Sequence, residues 1–164
     1  MTESRPTLHL LCGKIAAGKS TLAKRLAEAP QTVLISEDHW TAHLFKDELK
    51  TVEDYGVYSA RLRAAMGPHV AAVLKAGLSV VLDFPANTIE SRHWMRAIAD
   101  EAGCADVLHV LDAPDAVCKA RLRARNVAGE HPFQTSDADF DAFTRYFARP
   151  APTEGFHIVE HGHE

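Results

Sequence analysis

The chain has 164 residues, 46% of them hydrophobic and 24% charged, the balance of one soluble globular domain and not of a fibrous or disordered chain. Eighteen Lys and Arg against 22 Asp and Glu leave a formal charge of -4, which excludes a global cationic field of the kind that drives non-specific nucleic-acid binding. Three cysteines, Cys12, Cys104 and Cys118, are an odd number without CxxC spacing, so neither a disulfide framework nor a thiolate zinc site is expected. The N-terminal apolar run is broken by His9 and is too short for a leader or a membrane span, so a cytoplasmic protein without membrane attachment is expected. Folding at this size buries roughly 70% of the unfolded chain's surface, enough for a single domain over 1–164.

In chain order, Thr7 to Cys12 is an apolar run ending at Gly13 and reads as a strand buried on both faces of a parallel sheet. Lys19 to Glu28 follows with Leu22, Ala23, Leu26 and Ala27 at helical spacing. Gln31 to Ile35 predicts a second strand, with Ser36 and Asp38 as capping chemistry for a short helix through about Lys46. The charged stretch to Asp54 predicts a loop. Tyr58, Leu62, Ala65, His69, Ala72 and Val73 predict the apolar face of a long helix from Tyr55 to Ala76, ended by Gly77 and kinked at Pro68. Leu78 to Leu82 is a third strand running into Asp83, and Glu90 to Ala102 a helix stopped by Gly103. Ala105 to Leu111 is a fourth strand, and Pro114 opens a helix to about Arg125 as a first-turn proline. Ser136 and Asp137 cap a helix to about Ala148, and Phe156 to Glu160 is a fifth strand. Strands alternating with helices imply right-handed crossovers and a mostly parallel five-stranded sheet covered on both faces, a three-layer α/β fold.

Between the first strand and helix, Gly13, Lys14, Ile15, Ala16, Ala17, Gly18, Lys19 and Ser20 match GxxxxGK[ST] in full, with Thr21 beyond. Glycines let the backbone wrap with its N–H groups inward, and a helix beginning near Gly18 adds its positive end, so a polyphosphate meets donors already aimed at it. Lys19 is placed to neutralise β and γ oxygens and the Ser20 hydroxyl to ligand magnesium. ATP and Mg2+ are the expected cofactors, ATP over GTP because an NKxD motif is absent.

The third strand ends SVVLDFPAN. Asp83 suits a magnesium contact through water, but Phe84 stands where a hydrolytic motor carries its water-polarising glutamate, so a small phosphotransferase is favoured over a motor. Ligands in such sheets lie outside the carboxyl ends of the strands, so a carboxylate just after the second strand faces the γ phosphate. Asp38 fills that place as proton acceptor for an attacking hydroxyl, with Glu37 as the rival carboxylate. His39 and Trp40 are candidates to line an acceptor pocket.

GKIAAGKST, LISEDHW, SVVLDFPAN and a helix containing ARLRARN together resemble, from Leu8 to Val159, the AAA-family P-loop kinases of the zeta-toxin-like group, related to polynucleotide kinase and chloramphenicol phosphotransferase. The resemblance implies a three-layer, nucleoside-kinase-like P-loop NTPase fold with an arginine-bearing lid over about 119–137. It implies Asp38 as general base, Asp83 as metal-side aspartate, and lid arginines closing on the phosphates. Helical spacing groups Arg121 with Arg125 and sets Arg123 apart, which selects the first two.

The stretch SEDHWTAHLFKDELK carries four acidic residues and two lysines, the opposite of a basic strand channel, so a small-molecule hydroxyl acceptor is favoured over nucleic acid. Two other readings stay open: a nucleotide-gated binding protein or slow NTPase, and a 5'-hydroxyl polynucleotide kinase. Arg61, Arg63, Asn87 and Arg92 are further candidates to reach acceptor or phosphates, and Phe133 to pack on a base. Phe140, Phe143 and Phe147 read as core, and His161 and His163 as a frayed tail. The chain is expected to act as a monomer or homodimer.

Overall fold

The computed structural model describes residues 5–129 and 134–162. Phe133 and His163 lie outside the described residues. Five strands, β1 (Thr7–Cys12), β2 (Thr32–Ser36), β3 (Ser79–Pro85), β4 (Ala105–Leu111) and β5 (Ile158–His161), form one sheet in the order β2-β3-β1-β4-β5. Every pairing is parallel, so all carboxyl ends lie at one edge. The helices are α1 (Lys19–Leu26), α2 (Glu37–Leu44), α3 (Val52–Lys75), α4 (Ile89–Ala102), α5 (Asp115–Ala128) and α6 (Asp137–Thr144).

The strand pleat divides the core. Leu8, Leu10, Cys12, Val80, Leu82, Leu108 and Val110 pack against Leu62, Met66, Val70 and Leu74 of α3 and Met95 and Ile98 of α4. Leu11 and Val81 turn the other way, onto Leu22 and Ala23 of α1. The sheet is therefore the middle of three layers. A smaller cluster of Cys118, Leu122 and Phe140 joins α5 to α6. All three cysteines are free. Among the described residues no helix is long and apolar enough to cross a membrane.

Several boundaries differ from expectation for local reasons. α3 begins at Val52 because Thr51 and Asp54 form a reciprocal capping box. It runs through Pro68, and its buried stripe is Leu62, Met66, Val70 and Leu74, while Ala65, His69 and Ala72 are exposed. The small residues matched the spacing but gained nothing by burial, and Gly67 faces α4 so closely that a Cβ there would meet Trp94 Nε1 at 3.1 Å. Pro114 caps α5 from outside instead of opening it, and α5 continues to Ala128, three residues past Arg125, where Gly129 in the left-handed region ends it. α6 stops at Thr144. β3 extends through Asp83 to Pro85, so Asp83 is a strand residue with its neighbours held in register.

Candidate active site

The loop after β1 turns tightly, with the Ala17 N–H donating to the Lys14 carbonyl at 3.0 Å. Ala16 (φ 61°) and Gly18 (φ 106°) both take left-handed backbone, which costs a side-chain-bearing residue strain and marks the loop as shaped for something other than its own stability. Gly13 is required by contact, since a Cβ there would stand 3.0 Å from the Leu111 carbonyl oxygen and 3.2 Å from Ala17 Cβ. α1 then starts at Lys19 without a side-chain cap, whereas α2, α3, α4 and α6 are each capped by Ser or Thr. Its first-turn N–H groups are left for a ligand.

Lys19 folds back over the loop and donates to the Gly13 carbonyl and, at 2.8 Å, to the Lys14 carbonyl. Burial pushes its ammonium pKa down, and the Asp83 and Asp38 carboxylates, among other neighbours, push it back up. Ser20 Oγ donates to Asp83 Oδ2 at 3.1 Å, so a hydroxyl and a carboxylate from separate elements meet where α1 begins. Two hard oxygen donors side by side, with room beside them, fit a magnesium ion completed by water and phosphate oxygens. Phe84 is fully buried against Trp94, its ring 5.6 Å away, and turns away from this edge.

These groups open onto a cleft of about 1430 Å3 at the carboxyl edge of the sheet. Ile15, Ala16, Gly18, Lys19, Ser20, Thr21, Asp38, Asp83, Arg121 and Arg125 all line it. Gly13, Lys14 and Ala17 stand behind the lining, and the Lys14 side chain is drawn to Asp115 at 2.6 Å. Ser36 pairs in register with Asp83, which brings the start of α2 beside the end of β3. Asp38 is half-buried there. Arg121 Nη1 donates to the Ala17 carbonyl at 3.4 Å. Burial pulls the Arg125 guanidinium pKa down, with Asp38 opposing. Arg123 is exposed and paired with Asp137.

Glu37 differs from its neighbour. Its carboxylate is 1% exposed and accepts from Tyr55 Oη and, at 3.0 Å, from Ser59 Oγ, with Arg63 Nη2 3.7 Å away. Burial pushes its pKa up while Arg63 and the Tyr55 hydrogen bond pull it down. Arg63 and Asn87 are also on the cleft, but Asn87 grips the loop: the Gly13 N–H donates to its Oδ1 and its Nδ2 donates to the Gly13 carbonyl, both at 2.9 Å. Sequence spacing carried no sign of that clamp, which spans 74 positions.

Three expectations are corrected. Arg92 does not reach the cleft: it is fully buried, paired with Glu154 at 2.7 Å, and donates to the Ala86 and Ala148 carbonyls at 2.9 and 2.8 Å, fixing the turn that carries Asn87. Arg61 packs over Tyr58 outside the cleft lining, and His39 and Trp40 are exposed beyond it. His161 is no frayed tail. It lies in β5, where its Nε2 and His109 Nδ1 are 2.9 Å apart, and His109 Nε2 is 3.1 Å from His9 Nδ1, a row of three imidazoles across the sheet. Alternate positions on strands share a face, a signal the scattered histidines of the sequence concealed.

The sequence matches the AAA domain family over residues 8–150. No curated protein sequence matches the chain. Among solved structures, a Chloroflexus aurantiacus protein provisionally described as a kinase superposes with a TM-score of 0.77 at 20% identity, covering 98% of this chain and 87% of that one. APS kinase of Mycobacterium tuberculosis, solved with AMPPNP and APS, gives 0.64 at 20% identity over 96% and 88%. A gluconokinase of Sinorhizobium meliloti gives 0.58 at 15% identity over 99% and 84%. At these identities the likeness is one of fold, a P-loop kinase fold close to those of small-molecule kinases.

Proposed function

The chain belongs to the AAA domain family and has a P-loop kinase fold, and from that premise we propose that it is an ATP-dependent phosphotransferase acting on the hydroxyl of a small molecule. The observation that carries the reading is the meeting, at one edge of the sheet, of the phosphate loop, the Ser20–Asp83 pair, Asp38, Arg121 and Arg125 around one cleft. Its volume exceeds that of an ordinary single-ligand pocket and accommodates a nucleotide and an acceptor together.

In this reading the N–H groups of the cleft-lining loop residues, Ile15, Ala16 and Gly18 to Thr21, and the Lys19 ammonium bind the phosphates, with Gly13, Lys14 and Ala17 shaping the loop and the uncapped start of α1 adding its positive end. Ser20 directly, and Asp83 through water, hold magnesium, which when bound neutralises phosphate charge. Asp38 takes the acceptor's hydroxyl proton as its oxygen bonds to phosphorus and the bond from γ phosphorus to the bridging oxygen breaks, leaving ADP. Arg121 and Arg125 close from α5 as lid residues over the charge spread on the transferring group. Phe84 supplies no water-activating carboxylate, which favours transfer over hydrolysis. The likeness of the fold to those of APS kinase and a gluconokinase, over most of both chains, supports a small-molecule acceptor.

The test is γ-labelled ATP with magnesium and pooled aminoglycosides, phenicols, nucleosides, sugars and 5'-hydroxyl oligonucleotides, counting labelled product apart from free phosphate. Label is expected in a small-molecule pool. Label in the oligonucleotide pool would make the chain an end kinase, and free phosphate alone would make it a slow NTPase.

A further inference from the structure

We infer that Glu37, Arg63 and Ser91 form a positioning relay that ties the acceptor-side carboxylate Asp38 to the phosphate loop; the inference rests on the phosphotransferase reading only for what Asp38 does. The relay can be followed bond by bond. Asn87 grips Gly13 at both its N–H and its carbonyl. The next residue, Thr88, caps α4 by accepting from the Ser91 N–H at 3.0 Å, and its hydroxyl lies 2.9 Å from Ser91 Oγ. Ser91 Oγ accepts from Arg63 Nη1 at 2.6 Å. Arg63, stacked 5.2 Å over Trp94, places Nη2 3.7 Å from the Glu37 carboxylate, which Tyr55 and Ser59 of α3 also hold.

Glu37 is the first residue of α2 and Asp38 the second. Thr41, four residues on and fully buried, shares the Glu37 face and donates its hydroxyl to the Glu37 carbonyl at 2.9 Å. With Glu37 bonded to α3 and Thr41 buried on the same face, the roll of α2 about its axis is set, and Asp38 falls on the flank that lines the cleft. Neither Glu37 nor Arg63 needs to touch a substrate. A buried ion pair costs desolvation that two apolar side chains would avoid, so stability alone is a poor reason for this one. What it supplies is a fixed distance between the first turn of α2 and the turn that holds Gly13.

The experiment uses the full chain with Glu37→Gln and Arg63→Gln together, so that no unpaired charge is left buried. The double variant is expected to keep its ATP affinity within about twofold while kcat for transfer falls roughly 10–100-fold, the effect of misplacing a reacting group by about an ångström. The backbone 15N order parameter at Asp38 is expected to fall from roughly 0.85 to below about 0.6. Ser91→Ala, which cuts the relay without touching a charge, is expected to lower both readouts in the same direction and keeps the test open should the double variant not fold. Wild-type order at Asp38, or wild-type kcat, in a folded variant would overturn the relay. A wild-type chain that transfers phosphate to no acceptor would sink the phosphotransferase reading instead, while the order parameter alone would still decide whether the relay positions Asp38.

Discussion

The two walls of the cleft are built on different principles. The phosphate wall is backbone: a loop of eight residues whose shape comes from two left-handed positions, a glycine too close to Leu111 for a Cβ, and the uncapped start of a helix. The facing wall is side chain: Glu37, Tyr55, Ser59, Arg63, Thr88 and Ser91 from three helices and a turn, each holding another by hydrogen bond or ion pair. A backbone wall recognises what all its ligands share, the polyphosphate. A side-chain wall can be recast residue by residue, and in the proposed phosphotransferase it is the wall that would be fitted to an acceptor.

Breaking the phosphate wall should cost most. Lys19→Ala is expected to lower transfer roughly 10²–10³-fold and to weaken ATP binding in the same calorimetric titration, because it removes the ammonium folded back over the loop. Next come the arginines of α5. Arg125→Ala or Arg121→Ala is expected to lower kcat at least about tenfold, and Arg123→Ala to leave it within about twofold, since Arg123 is exposed and spent on Asp137. Equal losses at all three would erase the distinction between cleft and solvent faces.

The seam between the walls should give intermediate effects. Asn87→Ala removes two hydrogen bonds to Gly13 and should cost about 1–3 kcal/mol in denaturant unfolding. Gly13→Ala forces the loop off Leu111 and should cost about as much, with weaker ATP binding in both.

An effect of similar size, on stability alone, is expected in the histidine row, of which only His161 lines the cleft. Burial, then the neighbouring His9 and His161, lowers the His109 pKa to about 4 from the ordinary 6.5. Below pH 6.5 the unfolded chain takes up a proton there that the folded chain refuses. The stability this residue contributes is therefore complete above that pH and is lost as the pH falls toward 4. A loss of about 1–3 kcal/mol over that window, flattened in His109→Leu, is expected from urea unfolding at a series of pH values.

Which parts of this were legible in the sequence follows from the same contrast. GKIAAGKS is contiguous, so the loop, its flanking strand and helix, and Ser20 could be placed by spacing alone. Asp83 was legible because an apolar strand runs straight into it. The α3 stripe was misread because Ala65 and Ala72 match an apolar pattern without being buried, whereas Tyr55, Ser59 and Arg63, also at four-residue spacing, gather around the buried Glu37. Arg92 read as a candidate to reach the acceptor or phosphates and is instead fully buried on Glu154, a partner 62 positions away. Long-range pairs leave no mark in a single sequence when each partner is an ordinary surface residue type.

The most direct test of the central claim sets wild type beside Asp38→Asn, measuring phosphate transfer to the acceptor and the ATP dissociation constant on the same preparations. Transfer reduced at least about a hundredfold with ATP binding within about twofold is the predicted result, because the substitution keeps the shape of the cleft and removes only the proton acceptor. Transfer at the wild-type rate in a folded Asp38→Asn protein would contradict it.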